Sequence, residues 1–203
     1  ADFIDKLDVP AKKPTWYSAV PTMHEAILLE GEKRGTKLKH SLTLMRNCSA
    51  ALLPPVSKRF LKTFGSDLGQ EFTVVPTYAM TESFPICSNP PHLEVRLSTV
   101  GPAMGPHVKI LHGHPDDTEV PAGTEGEVCV TGECVTAGYL MREHMSQDPN
   151  IEAYSLPTSP VGRMLRTGDK GYIDSAGYLQ LVGRFKEIIN CGGEKISPLE
   201  MED

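Results

Sequence analysis

Four short segments of this chain carry residue types that can do chemistry together. The first is the loop Cys48-Ser49-Ala50-Ala51, which follows a strand-like run. Its small side chains let a ligand approach the backbone, and exposed N–H groups at a following helix start can bind anions. The same loop also reads as an ordinary strand-to-helix connection. The second segment is Tyr78-Ala79-Met80-Thr81-Glu82. A tyrosine offers a flat face for a base, a threonine hydroxyl can donate to a phosphate, and a glutamate can hold Mg²⁺. Its alternative is a buried tyrosine beside a helix-capping threonine, with a glutamate in the first turn. The third, Arg166-Thr167-Gly168-Asp169-Lys170-Gly171-Tyr172, sets an aspartate beside a glycine. Such an aspartate can accept two hydrogen bonds from ribose hydroxyls, or it can satisfy its own turn backbone. The fourth runs from Gly183 to Pro198 through Arg184, Lys186 and the pair Gly192-Gly193. It leads into Ser197-Pro198-Leu199-Glu200, which reads as a helix start with serine at the N-cap, proline at N1 and glutamate at N3.

Elements must position these groups. Thr15 to Val20 reads as a short strand, ended by Pro21, and Thr22 is placed to N-cap a helix through Met23, Ala26, Ile27 and Leu28. Leu42 to Cys48 is a second strand. Pro54 and Pro55 open a helix carrying Val56, Phe60, Leu61 and Phe64, and Gly65 ends it. Phe72 to Pro76 is a third strand, so the Tyr78 segment falls just after it. Strands alternating with helices predict a parallel sheet with helices on its faces, whose ligand sites lie at the carboxyl ends of the strands. From about Ser98 the texture changes. Short strand-like runs appear at Val108 to Leu111, Gly126 to Thr131 and Gly177 to Val182, with a hairpin turn at Asp174-Ser175-Ala176-Gly177. That predicts a small β-rich region. His144 to Val161 shows few periodic features and reads as a surface loop.

The bulk numbers exclude several classes. At 203 residues, 39% hydrophobic and 23% charged, the composition is that of an ordinary globular protein. No stretch approaches the roughly 18 apolar residues of a membrane span, and residues 1–5 carry no secretory signal. The net charge of −6 comes with basic residues scattered among acidic ones, so no basic face marks a nucleic-acid binder. Cys48, Cys87, Cys129, Cys134 and Cys191 are odd in number and irregular in spacing. They suit a reducing compartment such as the cytoplasm rather than a disulfide framework. Cys129 and Cys134 lack the spacing of a zinc site.

Taken in order, Tyr-Ala-Met-Thr-Glu, then Thr-Gly-Asp, then Gly-Arg-Phe-Lys-Glu-Ile-Ile-Asn-Cys-Gly-Gly-Glu-Lys-Ile-Ser-Pro resemble the later core motifs of the adenylate-forming acyl-CoA synthetase superfamily. Within it, Trp16 to Thr22, Asn47 to Leu52 and Tyr78 to Ser83 look most like the oxalate–CoA ligase group. The resemblance covers about Pro14 to Glu202. It implies part of the large N-terminal domain of an adenylate-forming enzyme: an α/β region over residues 1–97, a β-rich distorted-barrel region over 98–185, and a hinge leading to a C-terminal domain over 186–203. It also implies roles. Ser49, Ala50 and Ala51 match the loop lining the adenine and acyl pocket, and Tyr78 the aromatic that stacks on adenine. Thr81 matches the hydroxyl on the α-phosphate, and Glu82 the Mg²⁺ carboxylate. Asp169 matches the acid gripping the ribose hydroxyls, and Arg184 a second ribose contact. Lys186 falls at the hinge, and Gly192 and Gly193 match glycines lining the pantetheine tunnel. The implied ligands are ATP or AMP, Mg²⁺, CoA and a small carboxylic acid.

The chain departs from that pattern in several places. We expect the family's Ser/Thr/Gly-rich phosphate loop to lie upstream of these residues, and the C-terminal domain with its adenylation lysine to follow Asp203, so that this chain alone is inactive. Arg163 stands where an aromatic is usual, and Cys191 where the close relatives have arginine. Two expectations follow: a piece of an active acid–CoA ligase, or a ligase-derived domain kept as a structural subunit for a protein partner.

Overall fold

The computed structural model describes residues 2–7, 14–93, 95–113, 117–155, 162–185, 189–191 and 194–196. The chain divides into two compact units. The first comprises Ala1–Tyr78 and Ser88–Gly101, the second Ala79–Cys87 and Pro102–Asp203. Among the described residues no helix is long and apolar enough to cross a membrane.

The first unit is an α/β layer. It contains helix α1 (Asp2–Leu7), strand β1 (Trp16–Ala19), helix α2 (Pro21–Arg34), strand β2 (Leu44–Asn47), helix α3 (Pro54–Phe64) and most of strand β3 (Thr73–Met80). β1 pairs parallel with β2, and β2 parallel with β3, in the register Ala19↔Asn47↔Pro76. Parallel neighbours need a crossover, and α2 and α3 supply it. The two helices pack on one another, closely enough that a Cβ on Gly31 of α2 would stand 2.9 Å from the Phe64 ring. Beneath them lies an aromatic cluster. Phe60 and Phe64 are fully buried and stack at 5.4 Å, and Phe72 lies 5.7 Å from Phe64.

Two local expectations are corrected here. Thr22 is not the N-cap of α2. Val20 is, with Pro21 at the first helical position, and no side chain caps the end. Proline's fixed φ starts the helix two residues earlier, and its missing N–H is one that the first turn leaves without an intrahelical partner anyway. β3 also runs on to Met80, so Tyr78 lies inside the strand rather than after it. Thr81 and Glu82 form the two-residue turn to strand β4 (Ser83–Ser88), which removes the helix-capping alternative for Thr81.

The second unit holds a four-stranded antiparallel sheet in sequential order: β5 (His107–Leu111), β6 (Gly126–Thr131), β7 (Leu165–Ile173) and β8 (Leu179–Arg184). The hairpin between β7 and β8 turns at Asp174-Ser175-Ala176-Gly177. There the Asp174 carboxylate accepts from the N–H groups of Ala176 and Tyr178, and Gly177 takes φ 82°. A short backbone ladder pairs β9 (Ile189–Cys191) with β10 (Glu194–Ile196). Cys129 is buried on β6, where burial pushes its thiol up.

β7 went unread as a strand. Its inward row alternates cleanly, but the inward residues after Leu165 are Thr167, Asp169 and Gly171, so no apolar period marks it. Gly171 is required there. A Cβ would stand 2.6 Å from the Gln180 carbonyl oxygen of β8. The expectation of a surface loop over His144 to Val161 is also corrected in its described part. Helix α4 (Asn150–Ala153) forms within it, and Tyr154 and Ser155 are buried, with the Ser155 N–H donating to the Met164 carbonyl at 2.9 Å.

Candidate functional site

In the first unit, the predicted site residues cluster at the carboxyl ends of β2 and β3. Asn47 ends β2 and is buried. Its amide donates to the Ala50 carbonyl at 2.7 Å, folding the following loop back, and its own carbonyl accepts the Thr77 hydroxyl of β3 at 2.6 Å. Cys48 is tied to β1 through its N–H to the Ala19 carbonyl at 3.1 Å. The chain then passes through Ser49 at φ 71°, the one non-glycine residue at positive φ among those described. That conformation costs an L-residue about 1 to 2 kcal/mol. It persists because Asn47 and the strand register hold both sides of it. Ser49, Ala50 and Ala51 are left exposed, a small-residue rim on the strand end. Tyr78, two residues beyond the Pro76 partner of Asn47, is buried at 8% exposure.

In the second unit, two corners hold the remaining residues. One is the Thr81-Glu82 turn. Thr81 is exposed and Glu82 half-buried. The Tyr139 hydroxyl donates a short hydrogen bond to Glu82 Oε1, and the Glu82 carbonyl accepts the Thr136 N–H at 2.8 Å. Burial, and then the neighbouring Glu82 carboxylate, push the Tyr139 phenol up to about 12, so it remains a donor at neutral pH.

The other corner is on β7 and β8, where Asp169 and Arg184 are register partners. Arg184 Nε donates to Asp169 Oδ1 at 2.7 Å; the aspartate side chain is 12% exposed and the arginine 54%. Thr167 prepares the position. Its hydroxyl donates to the Val128 carbonyl at 2.8 Å and accepts the Asp169 N–H at 3.1 Å. Asp169 is therefore a strand residue held in an ion pair, not a turn aspartate. Behind it Arg166, on the other side of β7, is enclosed by Asp117 and by Glu127, the latter at 2.7 Å.

The donor set suits Mg²⁺. Among the described residues no group of three or more His, Cys, Asp or Glu side chains gathers to hold a metal. Mg²⁺ does not need one, because it keeps waters and binds through one or two carboxylates plus substrate phosphates. Glu82 beside the Thr81 hydroxyl is an all-oxygen set of that kind. Lys186, Gly192 and Gly193 lie outside the described residues.

Sequence reading missed four residues that brace the Glu82 corner: Thr136, Tyr139, Asn150 and Tyr154. Two signals for them were present. Gly138-Tyr139 pairs a glycine with an aromatic, and Asp148-Pro149 is a helix-start dipeptide placing Asn150 in the first turn. Arg163, which stands where an aromatic is usual, lies 3.7 Å over the Tyr154 ring and donates to the Ala137 carbonyl at 2.7 Å.

With this geometry in hand, comparison with known proteins is direct. Residues 2–140 match the family model described as AMP-binding enzyme. The chain is 37% identical over 198 residues to the probable CoA ligase CCL9 of Humulus lupulus, covering 96% of this chain and 34% of that protein. It is 34% identical over 195 residues to the oxalate–CoA ligase of Arabidopsis thaliana, covering 96% of this chain and 35% of that one. Among solved structures it resembles ATP-bound MatB from Rhodopseudomonas palustris, with a TM-score of 0.77 at 27% identity over 98% of this chain and 36% of that one. The chain thus spans about a third of the length of the relatives it matches.

Proposed function

The chain belongs to the AMP-binding enzyme family, and from that premise we propose that it carries nucleotide-handling residues of an ATP-dependent, AMP-forming acid–CoA ligase acting on a small carboxylic acid, with oxalate the first to test. In that reaction the carboxylate attacks the α-phosphate of ATP, releasing pyrophosphate and forming an acyl-adenylate. The CoA thiol then attacks the acyl carbon and AMP leaves. The chemical demand is to hold the phosphate in line and to offset its charge.

Each predicted residue has a task in that scheme. The exposed Ser49-Ala50-Ala51 rim admits adenine and the acyl group closely, and Tyr78 backs the base. Thr81 donates to the α-phosphate. Glu82 would hold Mg²⁺, which when bound offsets phosphate charge. Asp169 accepts from the ribose hydroxyls, and Arg184 orients Asp169 and adds a second ribose contact. Lys186 serves the hinge between the two half-reactions, and Gly192 and Gly193 the pantetheine path. The free thiols of Cys48, Cys87, Cys129 and Cys134 suit a cytoplasmic setting.

The observation that supports the reading most is the Asp169–Arg184 pair. A mostly buried carboxylate on a strand, held by an arginine that remains half exposed, suits a receptor for a diol. Its oxygens accept more than one donor, and its charge is already balanced. Calorimetry with AMP on this chain tests it. Asp169→Asn keeps the shape and removes the charge, and should weaken AMP about tenfold or more. ATP–pyrophosphate exchange with oxalate and other short acids then tests the reaction and its acid. Tight AMP binding unchanged in Asp169→Asn would sink the ribose assignment. A chain that binds no AMP would leave the reading of a structural subunit with a protein partner.

A further inference from the structure

We propose that Tyr139 is a positioning residue for the cation carboxylate: its phenol engages Glu82 Oε1 and so presents the second oxygen, Oε2, to a divalent cation. The inference rests on the reading of Glu82 as that carboxylate, and it concerns how the carboxylate is held.

A lone glutamate on a two-residue turn has three side-chain torsions to lose before it can bind an ion in one geometry. Here the loss is met in advance by a frame with several independent anchors. The segment after β6 runs beside the Glu82 turn. It is bonded to that turn by the Thr136 N–H to the Glu82 carbonyl at 2.8 Å, and by the bridge between Val135 and Ser83. Tyr139 stands at the end of that segment with its own peptide clamped on both sides by one residue. Its N–H donates to Asn150 Oδ1 at 2.7 Å, and its carbonyl accepts from Asn150 Nδ2 at 2.9 Å. Asn150 is fixed in turn by Asp148, whose carboxylate accepts from the Asn150 backbone N–H at 2.9 Å and from Nδ2 at 2.7 Å. The clamp needs the residue before Tyr139 to be glycine. Gly138 has φ 146°, and a Cβ there would stand 2.5 Å from Asn150 Oδ1. Between the two ends, the Tyr154 hydroxyl donates to the Thr136 carbonyl at 3.0 Å, and Arg163 holds the Ala137 carbonyl.

All of these anchors converge on where one exposed phenol stands. A tyrosine kept only for packing would not be 40% exposed with its hydroxyl on a carboxylate. Among the described residues Glu82 Oε2 has no protein partner, so the phenol commits one oxygen and leaves the other directed. This is the arrangement by which outer-shell hydrogen bonds orient metal ligands, and losing such a bond lowers metal affinity about ten- to a hundredfold.

The test uses this chain and Mn²⁺ as the probe, read by electron paramagnetic resonance with and without AMP, alongside AMP calorimetry. Glu82→Gln should abolish the Mn²⁺ site. Tyr139→Phe, which keeps the ring, should weaken Mn²⁺ about tenfold while AMP affinity without metal stays within about twofold. Asn150→Ala should reproduce the Tyr139→Phe loss through the peptide clamp, without touching Glu82. A purely structural role would move AMP and Mn²⁺ together and would overturn the inference. So would Tyr139→Phe binding Mn²⁺ as the parent does, or more tightly, since the phenol would then be idle or a competitor. A parent chain that binds AMP but whose Mn²⁺ binding is absent or indifferent to Glu82→Gln removes the cation from this corner, and leaves the ribose corner at Asp169 standing on its own test.

Discussion

The two units hold their candidate residues by opposite means. In the first, the Ser49-Ala50-Ala51 rim is carried on a parallel sheet backed by Phe60, Phe64 and Phe72. Its shape is set by one strained residue, Ser49, and one buried amide, Asn47. In the second, Glu82 and Asp169 are held by polar partners that come from distant parts of the chain: Tyr139 is 57 residues from Glu82, and Arg184 is 15 from Asp169. Apolar packing is non-directional and summed over many contacts. A polar clamp is directional and rests on a few bonds. The first kind of support should therefore fail globally when damaged, and the second locally.

The largest expected effect tests the first half of that contrast. Phe60 has no exposed surface, stacks on Phe64 and meets the His24 ring edge-on at 5.7 Å. Phe60→Ala should destabilise the first unit by about 3 to 5 kcal/mol, read by urea denaturation. Hydrogen exchange should rise across β1, β2 and β3 together. A loss below about 1 kcal/mol, or exchange that rises only around α3, would mean the aromatic cluster is not what carries this sheet.

A smaller effect tests the second half. The Tyr154 hydroxyl donates to the Thr136 carbonyl and lies 3.0 Å from the Thr136 hydroxyl, while Arg163 covers the ring. Tyr154→Phe keeps the ring contact and removes only those bonds, so it should cost about 1 to 2 kcal/mol. Exchange should rise at Thr136 and its neighbours and stay unchanged in the β5-β6-β7-β8 sheet. A cooperative loss of the whole unit would show that the clamp is part of the core, and the contrast between the units would collapse.

The same contrast explains what was legible in the sequence. The parallel sheet and its helices could be read because their apolar residues recur at helical or strand spacing over short windows. Val56, Phe60 and Phe64 announce α3, and Pro54-Pro55 and Gly65 mark its ends. The Asp174–Gly177 hairpin could be read because its turn chemistry is local. β7 could not, because its inward residues include Thr167, Asp169 and Gly171, chosen for a bond to Val128, an ion pair with Arg184 and a close approach to Gln180. Those requirements exist only once β6 and β8 are in place. The Tyr139 frame was illegible for the same reason. Asn150 and Arg163 look like loop residues until the chain brings Tyr139 and Ala137 to them. Motif resemblance named Glu82, but nothing in its neighbourhood along the chain named the residue that holds it.

The smallest expected effect is a slope, and it sharpens what the apolar unit excludes. His24 and His40 are both buried there. His24 Nδ1 lies 3.1 Å from the Tyr17 hydroxyl, and His40 Nδ1 accepts the Leu42 N–H at 3.0 Å. Burial lowers both imidazoles from their ordinary value of 6.5, because desolvation penalises the charged form more than the backbone of Ala19 and Arg46 beside His24, and of Phe64 beside His40, favours it. A depressed folded-state value means that the unfolded chain takes up protons first as pH falls. The stability that the neutral rings contribute is therefore full above about 6.5 and is lost as pH drops through the lower folded values. Denaturation midpoints should be flat from pH 8 to 7 and decline toward pH 5, and the decline should shrink in His24→Gln and again in the His24→Gln, His40→Gln double variant. The second unit bounds the interpretation, since its acidic groups there are held in ion pairs, Asp169 with Arg184 and Asp117 and Glu127 with Arg166. A decline that persists undiminished in the double variant would assign the sensitivity to those polar clamps, and would reverse which unit gives way first in mild acid.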